Sequence, residues 1–427
     1  MKKNRKWILA GVLALLCYSL CIGQRAVNYD ETKVPSFILP NPLVTFEGAT
    51  IASIRQWENV RKPELLRFFT EQVYGKVPGH LEMHTYKILE QGESRIYKNT
   101  LRQQVKISIK NQSGELSFTL LLLLPKNSRR APVFLGCNFY GNHAAVSDPE
   151  VIISRAWAKN NEAYHISGNV LTAASRGVRS ERWAVQQIID AGFGLATFYY
   201  GEIDPDKNDF SDGIHSLFYK NGQHRPLANE WGSIAAWAWG LSRAMDYLQK
   251  AKAVDASKVI VFGHSRLGKT ALWAAVNDTR FAAVIANNSG CGGAALSKRC
   301  FGETWGVMNK SFPHWLCENA KKFNNNEVKL PVDQHELISL MAPRPVYVAS
   351  AKDDRWADPK GEYLGAYFAG PVYKLFGAAV LPDSTMPAVH RPVHHTIAYH
   401  VREGGHNVTG YDWEQYIQWA KEVVCSD

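Results

Sequence analysis

The residues best suited to chemistry cluster around Ser265. The β-branched and aromatic run Val259-Ile260-Val261-Phe262 leads into Gly263-His264-Ser265-Arg266-Leu267-Gly268-Lys269. A strand that reaches a glycine-flanked serine and passes straight into a helix holds the hydroxyl at the carboxyl edge of a sheet. The helix start beside it offers backbone N–H groups to a developing oxyanion. The spacing departs from G-x-S-x-G: Leu267 stands two after the serine, and the glycine falls at Gly268. A serine hydroxyl is a weak nucleophile near neutral pH, so it needs an imidazole to take its proton and a carboxylate to orient that imidazole. Both follow in the chain order Ser, acid, His. Asp353, Asp354 and Asp358 lie just past the apolar run 346–350, and Gly404-Gly405-His406 lies just past the run 396–400. Among 14 histidines, His406 is favoured by its position after a strand and a double glycine; His394, His395 and His400 are its rivals.

These side chains need a sheet to bring them to one edge. Strands are expected at 131–138, 193–199, 259–262, 281–285, 345–350 and 396–400, and helices at 182–191, 229–250, 266–276, 335–341 and 411–424. Residues 105–110 and 115–125 flank Asn111-Gln112-Ser113-Gly114 and read as a hairpin. Strands alternating with helices from about 130 onward imply a mainly parallel sheet covered on both faces, with the hairpin antiparallel at one edge. Residues 24 to about 65 are Pro-rich and read as an irregular wrapping arm. Long insertions are expected at about 142–180, 201–228 and 290–332. The reading is one catalytic domain over 24–427, an α/β fold in three layers.

Residues 1–23 read as a secretory signal peptide: Lys2, Lys3, Arg5 and Lys6 precede an apolar run that ends at Cys21-Ile22-Gly23. The run is shorter than a comfortable membrane span, so the mature chain is expected to be secreted or periplasmic, with no stable membrane span and as a monomer. The full chain carries a net charge of +10, and losing the four leader cations leaves +6. With no basic run or basic helix, nucleic acid is not an expected partner. A hydrophobic fraction of 46% and a charged fraction of 21% exclude a disordered chain. Five cysteines remain beyond the leader, and none has the spacing of a zinc site.

Gly263 through Lys269 resembles the G-C/H-S-R-x-G-K signature of the glucuronoyl esterases, carbohydrate esterase family 15. Ser289-Gly290-Cys291-Gly292-Gly293, Arg299, Phe301-Gly302-Glu303, Asp354 through Pro359, Gly404 through His406, Thr197 through Pro205 and Glu230-Trp231-Gly232 look like the bacterial members. The resemblance spans about residues 60–424. It implies an α/β-hydrolase fold with antiparallel N-terminal strands, no metal or cofactor, and hydrolysis of 4-O-methyl-glucuronic acid esters, which on glucuronoxylan carry lignin alcohols. It implies Ser265 as nucleophile, His406 as base and Arg266 as an oxyanion donor. Some members place the acid directly before the Ser-Gly that follows the next strand, where this chain has Asn288. Others place it two residues before a tryptophan, which selects Asp354 before Trp356. The resemblance further implies that Lys269, Glu303 and Trp356 bind the uronate ring. Trp305, Arg299 and His215 are weaker candidates. The alternatives are another carbohydrate esterase, such as an acetyl-xylan esterase, a non-catalytic carbohydrate-binding relative, or a peptidase.

Overall fold

The computed structural model describes residues 27–79, 83–220 and 222–426; the leader lies outside the described residues. Nine strands form one sheet: β1 (Met83–Glu93), β2 (Thr100–Asn111), β3 (Gly114–Pro125), β4 (Ala131–Asn138), β5 (Gly194–Tyr199), β6 (Val254–His264), β7 (Ala283–Asn287), β8 (Val346–Ala351) and β9 (Ile397–Arg402). Their order is β1-β2-β3-β5-β4-β6-β7-β8-β9. The pairs β1/β2, β2/β3 and β3/β5 are antiparallel and the rest parallel. This is the α/β-hydrolase arrangement, with the expected hairpin closing at Asn111 opposite Gly114.

The continuous apolar run of β6 follows from burial on both faces. Val259 and Val261 join the core with α1 (Ser233–Leu248) and α2 (Arg266–Asn277), while Ile260 and Phe262 join the opposite core. There Phe262 meets Trp413 of α4 (Gly410–Trp419), ring centroids 4.8 Å apart. Between them in the chain comes α3 (Pro359–Phe368), which packs near the end of β8. Among the described residues no helix is long and apolar enough to cross a membrane.

Several elements differ from the sequence reading, three of them prominently. Helical turns run unbroken from Ile54 to Tyr74, starting inside the stretch expected to be irregular up to about 65. Ser53 caps the start by accepting from the Gln56 N–H, and Trp57, Leu65, Phe69 and Val73 bury one face at helical spacing. Strand β1 went unforeseen because it is a largely exposed edge with little apolar alternation. The helix α3 was hidden by Gly361 and Gly365. A Cβ on Gly365 would lie 2.0 Å from the Ala294 carbonyl oxygen, so that glycine permits close packing of the helix. Its start does carry the expected signature, Asp358 as cap and Pro359 in the first turn.

Candidate active site

Ser265 sits between β6 and α2 with φ 59° and ψ −132°, a conformation that non-glycine residues rarely adopt. Two glycines make room for the bend. A Cβ on Gly263 would lie 1.8 Å from the Leu267 carbonyl oxygen, and one on Gly268 would lie 2.9 Å from the Ser289 Cβ. The glycine at the third position after the serine therefore serves helix-to-loop packing. The Ser265 N–H is already spent on the Asn287 carbonyl at 2.9 Å. The Arg266 N–H, at the first helical position, has no intrahelical acceptor.

His406 follows β9 and Asp354 follows β8, so the carboxyl ends of the parallel strands bring them to the Ser265 edge. His406 Nδ1 donates to Asp354 Oδ2 at 2.6 Å. The same oxygen accepts from Asn288 Nδ2 at 2.7 Å, so the residue at the alternative acid position supports the carboxylate. Asp354 is buried while His406 keeps 40% of its side chain exposed. Among the described residues the Ser265 hydroxyl has no hydrogen-bond partner, so its contact with His406 is unmade here.

The loop carrying His406 is held from beneath. Arg402 donates to the carbonyls of Glu403, Gly405 and Asn407 and pairs with Asp412 of α4 at 2.7 Å. Arg179 and Arg182 both donate to the Asn407 side chain. The rival histidines are committed elsewhere: His400 is buried against Asp412 and Tyr347, His394 meets Glu422, and His395 meets the Val380 carbonyl. Asp358 pairs with Arg299, and Asp353 is exposed. His215 is buried on Asp204, and Trp305 donates to Ser297 inside the core.

Arg266 pairs with Asp206 from the 201–228 insertion. Asp206 also accepts from His314 Nε2 and Trp315 Nε1, each at 2.8 Å, and from the Tyr200 hydroxyl at 2.9 Å. Burial would raise the Asp206 pKa, but Arg266 and His314 outweigh it and hold the carboxyl well below its ordinary range. Burial likewise works against the Arg266 charge, and Asp206 more than offsets it. The guanidinium lies over the Trp315 ring at 4.8 Å and over Phe139 and Phe312 at 5.5 Å each. Its Nε is buried without a hydrogen-bond partner among the described residues. Two insertions thus meet over Arg266 and fix a cation beside the Ser265 turn.

Lys269 and Glu303 are both buried and pair at 2.9 Å. The ammonium also donates to the carbonyls of Ser289 and Cys291, so all three of its protons are engaged. To donate to a sugar hydroxyl, Lys269 would have to share or release one of them. Glu303 Oε1 carries no protein hydrogen bond among the described residues, and the Glu303 N–H donates to the Trp356 carbonyl at 2.9 Å. Trp356 is 38% exposed, unusual for so large an apolar ring.

Four site residues escaped the sequence reading as residues of the site. In the sequence Asn288 stands out only as the residue that replaces an acid. Asp206 and Arg402 carry no local pattern that marks them in the sequence. Glu362 lies buried on α3, accepting from the Gly290 N–H and the Ser289 and Ser350 hydroxyls, and burial raises its pKa to about 8. A signal existed only for Asn288, whose amide can donate to a carboxylate. The others depend on contacts between distant segments.

The family model described as "Glucuronyl esterase, fungi" matches residues 174–377. Carbohydrate esterase MZ0003, from an unknown prokaryotic organism, is 46% identical over 93% of this chain and 92% of its own length. A promiscuous CE15 esterase from a marine bacterial metagenome superposes with a TM-score of 0.87 at 45% identity, covering 93% of this chain and 99% of its own. The glucuronoyl esterase from Solibacter usitatus superposes with a TM-score of 0.86 at 44% identity, covering 91% and 99%. With its nine-stranded sheet and these matches over nearly its whole length, the chain belongs to the glucuronoyl esterases of carbohydrate esterase family 15.

Proposed function

We propose that the protein is a serine esterase that hydrolyses 4-O-methyl-glucuronic acid esters on glucuronoxylan, the bonds that join xylan to lignin alcohols. The observation that carries this reading is the His406–Asp354 pair at 2.6 Å, delivered by β9 and β8 to the edge where Ser265 is held at a strained bend. Asp354 holds the His406 Nδ1–H, which leaves Nε2 as the base. As Ser265 Oγ attacks the uronate ester carbonyl, His406 takes its proton and the tetrahedral oxyanion develops beside Arg266. His406 then protonates the departing alcohol. Water, activated by the same imidazole, cleaves the acyl-enzyme, releases the uronate and restores Ser265. The open Ser265–His406 contact closes on substrate binding, as catalytic hydrogen bonds commonly do. A fixed cation suits this site, because negative charge appears first on the oxyanion and then on the product.

Glu303 and Trp356 supply the ring-binding side: one carboxylate oxygen to accept sugar hydroxyls and one exposed ring to cover an apolar sugar face. Residues 1–23 are removed as a signal peptide, and the mature enzyme, 24–427, acts outside the cytoplasm as a monomer. Turnover of methyl glucuronate and of acetylated xylan, measured side by side, tests the substrate assignment. Preference for the uronate ester is expected; preference for acetylated xylan would reassign the enzyme to the acetyl esterases.

A further inference from the structure

The N-terminal arm ends its described course against the wall that carries Glu303 and Trp356. The Asn28 carbonyl accepts from the Gly302 N–H at 2.8 Å, directly before Glu303. The Tyr29 ring meets Phe301 edge-on, centroids 6.2 Å apart, and the Arg355 guanidinium lies over Tyr29 at 5.3 Å and over Phe301 at 5.9 Å. Glu31 bridges two cations, Arg299 at 2.6 Å and Lys360 at 3.0 Å. A short turn, Glu31–Lys33, presents it there, capped by Asp30, whose side chain accepts from the Thr32 N–H. Arg299 in turn grips Asp358, the cap of α3.

The arm therefore touches the chain just before Glu303, at Arg299, Phe301 and Gly302, and on both sides of Trp356, at Arg355 and Lys360. The two inner segments meet each other closely. Gly302 adopts φ +60°, and a Cβ there would lie 2.4 Å from the Trp356 carbonyl oxygen, the same atom that accepts from the Glu303 N–H at 2.9 Å. Among the described hydrogen bonds, the 302–303 backbone is fastened on one side to Trp356 and on the other to Asn28. Among the described residues, no hydrogen bond, ion pair or ring contact of Asn28–Glu31 falls on Ser265, His406 or Arg266.

We infer that the arm segment Asn28–Glu31 fixes the Glu303–Trp356 wall and so sets affinity for the hexuronate ring of the ester. Tyr29 and Glu31 are its positioning residues. They act through Phe301, Arg299 and Arg355, and they take no part in acyl transfer. This deepens the esterase reading and rests on it.

The test separates binding from chemistry. In a Ser265→Ala background, calorimetry measures the affinity for methyl glucuronate directly. Adding Tyr29→Ala or Glu31→Gln is expected to weaken it by about fivefold, whereas Tyr29→Phe, which keeps the ring under Arg355, leaves it near the parent value. With Ser265 intact, the same two changes raise KM by a similar factor with little change in kcat. Both residues are partly exposed, and thermal melts confirm the fold of each variant. If Tyr29→Ala does not fold, Glu31→Gln carries the test alone. Unchanged affinity, or a loss confined to kcat, overturns the role of the arm. Binding that persists while the parent enzyme fails to cleave the ester overturns the esterase reading instead.

Discussion

Ser265 and Lys269 stand one helical turn apart, at the start of α2, in opposite environments. The Ser265 end is open: among the described residues its hydroxyl has no partner and the buried Arg266 Nε has no acceptor, and His406 is substantially exposed. The Lys269 end is closed, with every ammonium proton engaged and its carboxylate partner buried beside it. Unmade contacts cluster where charge and protons must move during reaction; completed ones cluster where a surface must keep its shape. Lys269 thus ties the loop after β7 to Glu303, and Glu303 is the member of the pair with an oxygen left to offer.

Four substitutions sharpen this contrast. Asp354→Asn removes the charge that orients His406 at the open end and should lower kcat by about 10⁴-fold while the melting temperature changes little. Lys269→Met acts on the closed end and strands a buried Glu303 carboxylate, costing about 3–5 kcal/mol of stability in denaturant titration. Were Lys269 instead an uncommitted sugar donor, that change would raise KM and leave stability alone. Arg266→Gln should lower kcat by about 10²–10³-fold, the range for one oxyanion donor, with KM far less affected.

Glu362→Gln acts on the pH dependence of stability rather than on turnover. Burial raises the Glu362 pKa from 4.5 to about 8, so between those values the native protein holds a proton that the unfolded chain has released. Stability from this group is fully present at low pH and is lost as pH rises toward 8. The glutamine variant should flatten that decline, measured as melting temperature against pH from 5 to 9; an unchanged slope would place the titration on another group.

The sequence was most legible where one strand or one turn determined the outcome. The run Val259–Phe262 is apolar on both faces because both cores claim it, and Ser265, Asp354 and His406 each follow a strand end. The antiparallel hairpin was plain from its polar four-residue turn. Less legible was whatever depends on two distant segments meeting. Asp206 finds Arg266 across 60 positions, and Glu31 finds Arg299 across 268. The strand β1 stayed hidden because an exposed edge needs little apolar patterning, and α3 because its glycines serve packing that only the fold reveals. The engagement of Lys269 by two carbonyls was equally invisible, since any side chain's unmet hydrogen bonds depend on where the backbone passes.

Ser265 acts as the nucleophile of a uronate esterase only if hydrolysis of benzyl glucuronate, followed for the parent enzyme and Ser265→Ala side by side, depends on its hydroxyl. Steady release of benzyl alcohol by the parent is expected, with a fall of at least about a thousandfold in the variant. Comparable turnover by the two proteins would contradict it.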